Sequence, residues 1–491
     1  MQTPARAVLC LAFLLLAACV SPLQRDLDTI LQPPELQGVR WGLLVTDMQG
    51  REIAALNPDQ RFLPASNTKL FTTAAVHRWQ DDLALMAPRL ATHVTLEDSG
   101  EDAVEPAPPT LVLHGRGDPA LSDAPGCETS CLAHLADAVA ASGLTHITRV
   151  IGDDTWFPHD RWPHGWSWED LQSDDGTAVS ALTLNDNALT LSVAPAATES
   201  EPAIVAWADG SAAYAILNET VTAEAEADDF LIARPPGADT VRVSGHVPPG
   251  SPARAYRLGV DNPAELAARR FSALLAARGL TIDAPAAARH RTPGLAGADT
   301  AALTALEAGT APLAALPPLS FPDALEAVSK DSQNLYAELL LRHLGHLSED
   351  GAAAAGLARV TALLEEAGAA PNGHDLFDGS GMSVYNRVSP RTIVTLLRHA
   401  AAQDWGDDWR ATFPVGGRDG SLRRRFRGTL LEGRIAAKTG TLKGTNALSG
   451  YLTTASGQTL VFAMIANDRP LSVPSAIPFM DAALVRIAEG N

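Results

Sequence analysis

The stretch Pro64-Ala65-Ser66-Asn67-Thr68-Lys69-Leu70, PASNTKL, sets a serine and a lysine three positions apart where an irregular segment turns helical. On a helix, positions i and i+3 share a face, so the Ser66 hydroxyl and the Lys69 ammonium come within reach of each other. Leu70, Phe71, Ala74 and Val76 continue an apolar helical stripe behind them. Taken alone, this spacing describes a capped helix start with a surface lysine as well as it describes a nucleophile with its base. The chemistry is sufficient in kind, because a lysine takes a serine proton once desolvation or a second cation lowers its pKa. A serine near a helix N-terminus also offers its own N–H to a developing oxyanion.

Two later stretches change the reading. Ser332-Gln333-Asn334 opens the amphipathic segment SQNLYAELLLRHLG, where a serine hydroxyl can relay a proton to a leaving amine and the Asn334 amide can bond a peptide. By itself the tripeptide is equally an N-cap serine with a polar first turn. Lys438-Thr439-Gly440, followed by Thr441, falls on a predicted strand. Lysine and threonine there suit a substrate carboxylate, glycine admits close approach, and the Thr441 N–H can complete an oxyanion hole. By itself it is an edge-strand lysine before a turn. In conjunction, S-x-x-K, S-x-N and K-T-G occur in the order and on the elements (helix start, helix start, strand) used by penicillin-binding proteins and serine β-lactamases.

Outward from these motifs, WGLLVTDMQGREIAALNPDQRFLPA reads as two strands around a turn. From about Leu90 to Tyr256 come short β-like runs broken by Gly, Pro and Asp. Helical periodicity returns at NPAELAARRFSALLAARGL, with Asn262 as N-cap, Pro263 in the first turn and Gly279 as the stop. Thr300 to Pro318 fits helix or linker. PRTIVTLLRHAAAQ is a further helix, and residues 434–468 read as three strands with the apolar run Leu460–Ile465 in the interior. The expectation is an α/β (α+β) fold: an antiparallel sheet drawn from both ends of the chain, helices on both faces, and a β-rich insert. The expected divisions are a signal peptide at 1–18, a catalytic domain at 19–90 and 257–491, and an insert of two small domains at 91–256.

With RFLPASNTKLFTTAA, LHGRGDPALS, ALTLNDN, DSQNLYAELLLRHLG, FDGSGMSVYNRVSP, GRDGSLRRRF and AAKTGTLKGTNALSGYL in that order, the chain resembles the class C low-molecular-mass penicillin-binding proteins. These are the D-Ala-D-Ala carboxypeptidase/endopeptidases of the penicillin-binding protein 4 type. Ser66 and Ser332 are separated by more than half the chain, a spacing similar to that family's long insert. The resemblance implies cleavage of D-alanyl-D-alanine bonds in peptidoglycan stem peptides, and of crosslinks between them, through a serine acyl-enzyme that β-lactams also acylate. It implies Ser66 as nucleophile, Lys69 as its base, Ser332 as proton relay, Asn334 as ligand to the substrate amide, and Lys438, Thr439 and Gly440 along the substrate carboxylate. The N–H groups of Ser66 and Thr441 are implied as the oxyanion hole. The chain departs from its better-known relatives at Val384, often arginine, and Lys443, often glutamine, positions that meet the distal end of the peptide side chain. Asp153, in GDDTWF, resembles an insert aspartate that reaches the same pocket; a solvated loop acid fits it equally. No metal or organic cofactor is implied. The competing readings are a β-lactamase or serine esterase, which would turn penicillin over, and a non-catalytic wall-binding or penicillin-sensing protein.

Composition bounds the setting. The chain has 491 residues, 46% hydrophobic and 19% charged, with a net charge of -20, which speaks for a multidomain globular protein and against a nucleic-acid surface. Arg6 followed by an apolar run from Ala7 to Val20 suits an export signal. The run ends in Leu16-Ala17-Ala18-Cys19, similar to a bacterial lipobox, so the expectation is a periplasmic protein lipid-anchored through Cys19; Val20, by resemblance to Gram-negative sorting, directs it to the outer membrane. Cys127 and Cys131 in GCETSC are a candidate local disulfide, with a metal pair or two reduced thiols as alternatives.

Overall fold

A computed structural model describes residues 22–98, 108–209, 213–224, 229–292, 311–348 and 351–491. The expected signal peptide, Cys19 and most of the Thr300–Pro318 segment lie outside these residues.

Two strands near the start, β1 (Arg40–Asp47) and β2 (Glu52–Leu56), join three near the end, β3 (Ile435–Leu442), β4 (Thr445–Thr453) and β5 (Thr459–Asn467). The order is β3-β4-β5-β1-β2, and every neighbouring pair is antiparallel. The ends of the chain therefore zip together, β1 pairing with β5 from Arg40↔Asn467 to Asp47↔Leu460. Strand β5 is buried on both faces, as its apolar run predicts. Its side chains alternate between two cores. Val461, Ala463 and Ile465 belong to the core they share with α1 (Lys69–Arg78), α2 (Phe321–Lys330), α3 (Asn334–His346) and α4 (Pro390–Ala400), whereas Phe462 and Met464 belong to the core shared with the helices Pro22–Leu31 and Ile477–Glu489.

The insert differs from its expectation. Its main sheet runs Ala287–Arg291, Val150–Pro158, Thr110–His114, His93–Glu97, Ala314–Ala315. Two of its pairings are parallel, and parallel neighbours need long crossovers, supplied here by segments containing the helices Leu132–Ala141 and Pro263–Ala276. The insert is thus a mixed α/β unit that continues past residue 257 to Ala315, rather than a β-rich region ending at 256. Two three-stranded sheets between residues 188 and 259 form its all-β part around Leu191, Trp207 and Val243. Asn262 caps the Pro263–Ala276 helix, its side chain accepting from the Glu265 N–H.

Candidate active site

The PASNTKL segment enters α1 through a 3₁₀ turn, Ala65–Thr68, so Ser66 sits just ahead of the α-helix. Ala65 adopts a left-handed backbone (φ 49°), a strained conformation of the kind found at reactive serines. The turn is clamped from two sides. Asn67 Nδ2 donates to the Lys438 carbonyl at 2.9 Å, and Gly381 lies so close that a Cβ there would fall 1.9 Å from the Ala65 carbonyl oxygen. On β3, a Cβ on Gly440 would stand 2.8 Å from the Pro64 oxygen and 3.1 Å from the Ser66 nitrogen. Glycine in K-T-G is what lets this strand pass beside the serine turn.

Lys69 is 1% exposed, and its Nζ donates to Ser66 Oγ at 2.9 Å, to Asn334 Oδ1 at 2.6 Å and to the Ser380 carbonyl at 2.6 Å. Burial pushes its pKa down to about 8, against the opposing pull of Asp378, Glu338 and Asp175. An ammonium held only by neutral oxygens, beside a half-buried hydroxyl, can release a proton near neutral pH and take one from Ser66. Lys438, also 1% exposed, donates to Ser332 Oγ at 2.8 Å. Burial, and then the charge of Lys69, hold its pKa well below the ordinary value. Two serine–lysine pairs therefore share one cleft.

Ser332 is not the first residue of a helix. It occupies a left-handed turn (φ 63°) between α2 and α3, and α3 begins at Asn334. The Asn334 amide is engaged on both ends, accepting from Lys69 and donating to the Asp175 carbonyl at 3.0 Å and to Met382 Sδ at 3.0 Å. Thr439 Oγ1 donates to Ser421 Oγ at 2.8 Å, while Thr441 is exposed at the cleft edge. Lys443, exposed in the turn between β3 and β4, lines a cavity of about 390 Å³ with Arg40, Arg387 and Arg469. Val384 is 45% exposed, its N–H bonded to the Gly165 carbonyl of the insert.

Asp153 does not reach this cleft. It is 2% exposed within the insert sheet, accepting from the N–H and Oγ1 of Thr155 at 2.9 and 2.6 Å, with His114 and Arg289 each 3.4 Å away. Burial pushes its carboxyl up, but His114 and Thr155 outweigh it and hold the pKa at about 2. A carboxylate so enclosed has no face left for a substrate amine, so its expected binding role is withdrawn. The insert acids that do act on the site are Asp175, which bears on Lys69, and Asp170, which feels Lys443. Sequence reading passed over these two, together with Ser380, Asp378 and Glu338. The available signal was Glu338, an acid on the apolar face of NLYAELLL, one turn after Asn334.

Cys127 and Cys131 are joined as a disulfide. Among the described residues, Asp154, His159 and His290 bring potential metal ligands within 4.8 Å of one another, in the insert. Asp154 already bonds His290 at 2.7 Å and the Arg161 guanidinium donates to His159 at 2.7 Å, so these groups are structural partners.

A family model described as D-Ala-D-Ala carboxypeptidase 3 (S13) matches residues 23–488. The chain is 35% identical over 496 residues to the D-alanyl-D-alanine carboxypeptidase of Actinomadura sp. (strain R39), covering 96% of this chain and 85% of that protein. It is 23% identical to penicillin-sensitive carboxypeptidase A of Dictyostelium discoideum, covering 92% and 88%. Penicillin binding protein 4 from Haemophilus influenzae superposes with a TM-score of 0.74 at 22% identity, covering 96% of this chain and 98% of that one, which shows a shared fold.

Proposed function

The chain belongs to the D-Ala-D-Ala carboxypeptidase 3 (S13) family, and from that premise we propose that it is a serine DD-peptidase in which Ser66 carries the acyl group. The observation that carries the reading is the 2.9 Å contact between Lys69 Nζ and Ser66 Oγ, in a site where burial lowers the Lys69 pKa to about 8. Neutral Lys69 takes the hydroxyl proton as Ser66 Oγ bonds to the D-alanyl carbonyl carbon. The N–H groups of Ser66 and Thr441 receive the oxyanion. As the C–N bond breaks, Ser332 gives its proton to the leaving amine and is reprotonated by Lys438, which in turn recovers the proton that Lys69 took from Ser66. Water then cleaves the ester, releasing the acid and the serine. Asn334 orients Lys69 and stands beside it for the substrate amide, and Thr439 with Lys438 meets the substrate carboxylate.

Lys443 serves the distal end of the peptide, in place of the cation absent at Val384. A β-lactam presents an acyl carbon to the same serine; a structure of the Haemophilus influenzae protein was solved with one bound. The lipobox at Cys19 supports a periplasmic enzyme anchored to the outer membrane, a reading that rests on sequence alone.

The test is incubation of wild type and Ser66→Ala with crosslinked muropeptides, read by mass spectrometry. Loss of one alanine marks carboxypeptidase and conversion of dimer to monomer marks endopeptidase, both absent from the variant; an inert wild type sinks the proposal. A long-lived penicilloyl adduct, rather than turnover, separates it from a β-lactamase.

A further inference from the structure

Helix α3 presents Asn334, Glu338 and Arg342 one turn apart on one face. Asn334 touches Lys69, but Glu338 lies deeper, at 0% exposure, where an acid is costly unless it is fully used. Its Oε1 accepts the N–H of Gly379 at 2.9 Å and of Ser380 at 2.8 Å, and its Oε2 faces Arg342 Nη1 at 3.2 Å. The other end of Ser380, its carbonyl, is the oxygen that receives Lys69 at 2.6 Å. One residue of loop thus connects a buried carboxylate to the lysine beside the nucleophile. The loop is held from the opposite side by Asp378, which accepts from Gly381 N at 2.9 Å, Ser383 N at 2.6 Å and Asn386 Nδ2 at 2.7 Å.

We propose that Glu338 is a positioning residue for the reaction at Ser66: its carboxylate fixes the Gly379–Ser380 peptide so that the Ser380 carbonyl holds Lys69, and its charge sets how readily Lys69 parts with a proton. The inference rests on the reading of Ser66 and Lys69 given above. The charges facing Lys69 are Glu338 from α3, Asp378 from the loop, Asp175 from the insert and Lys438 from β3. Those facing Glu338 are Asp378, Arg342 and Lys69; burial first and then Asp378 raise its pKa, against Arg342 and the Ser380 N–H, and the two N–H donors on Oε1 with the Arg342 guanidinium at Oε2 are the partners that suit the carboxylate form.

Glu338→Gln keeps an oxygen for both N–H groups and removes the charge. The rate of penicilloylation at Ser66, followed against pH, then has its acid limb moved down by about one unit, because an anion that favoured the charged lysine is gone. Glu338→Asp keeps the charge but withdraws the carboxylate, so its limb stays in place while the plateau falls about tenfold or more. If Glu338→Gln folds poorly against Arg342, the double change Glu338→Gln with Arg342→Met removes both members of the buried pair and is read in the same way. A limb and plateau equal to wild type in the Gln variant would overturn the proposal, as would a lowered plateau with an unmoved limb. Ser66→Ala separates the premises: an adduct surviving there defeats the Ser66 reading itself, whereas its absence with an unmoved Glu338→Gln limb defeats only the role of Glu338.

Discussion

Two buried charges, Lys69 in the candidate active-site cleft and Asp153 in the insert, begin from the same difficulty and end with opposite properties. Each is at most 2% exposed. Asp153 is met directly by the Thr155 donors, by His114 and by the Arg289 guanidinium, and is held at about 2, so it stays charged across the physiological range. Lys69 is met by neutral oxygens, with its carboxylates one bond network away, and is left at about 8. The difference lies in what supplies the contact. A counter-charge in contact makes a permanent ion, whereas polar acceptors with the counter-charge at a remove leave a proton exchangeable.

The strongest way to break this contrast is to remove its two poles. Ser66→Ala should abolish the penicillin adduct and lower muropeptide cleavage by about 10⁴ or more. Lys69→Ala should lower acylation by about 10³ while the protein still folds and binds. Either variant retaining near wild-type rates would show that the cleft chemistry lies elsewhere. Gly440→Ala, which drives a Cβ against Pro64 and Ser66, should cost about 1–3 kcal/mol of stability and slow acylation. Asp153→Asn should do the opposite of Lys69→Ala: it should cost about 3 kcal/mol in thermal or denaturant unfolding, from the loss of a buried pair, with acylation within twofold of wild type. A large loss of activity at unchanged stability would reinstate Asp153 as a site residue.

The smallest effect concerns the contact of α3 with the insert. His343 bonds the Gly117 carbonyl and His346 stacks on Trp156, and burial lowers their pKa values to about 4 and about 3. Because the unfolded imidazoles titrate near 6.5, stability is complete above that pH. It falls as the pH drops from 6.5 toward 4, by about 1–2 kcal/mol per imidazole at pH 5. Denaturant titrations at pH 7 and 5 of His343→Gln and wild type check the sign: the variant should lose less on acidification.

Much of the cleft could be read from the chain because its chemistry is local in sequence. Ser66 and Lys69 share a turn, and Lys438 to Thr441 lie along one strand. The sheet was legible for a similar reason, since β5 carries an uninterrupted apolar run that only a doubly covered strand tolerates. What escaped depends on contacts between distant segments. Ser380 offers only its backbone to Lys69, which no side-chain pattern announces. Asp153 and Asp175 look alike as sequence, and only the neighbours brought by folding distinguish a sealed acid from one that bears on the cleft. The boundary at residue 257 failed because the strands Ala287–Arg291 and Ala314–Ala315 are short, and their pairing partners lie more than a hundred residues upstream.

The most direct measurement is the pH dependence of Ser66 acylation by penicillin G, from pH 5.5 to 10, in wild type and Asp153→Asn. A buried Lys69 held by neutral oxygens predicts a rate that rises through a limb near pH 8, superimposable in the two proteins and absent from Ser66→Ala. A flat profile, or a limb near the 10.5 of an ordinary lysine, would contradict the account.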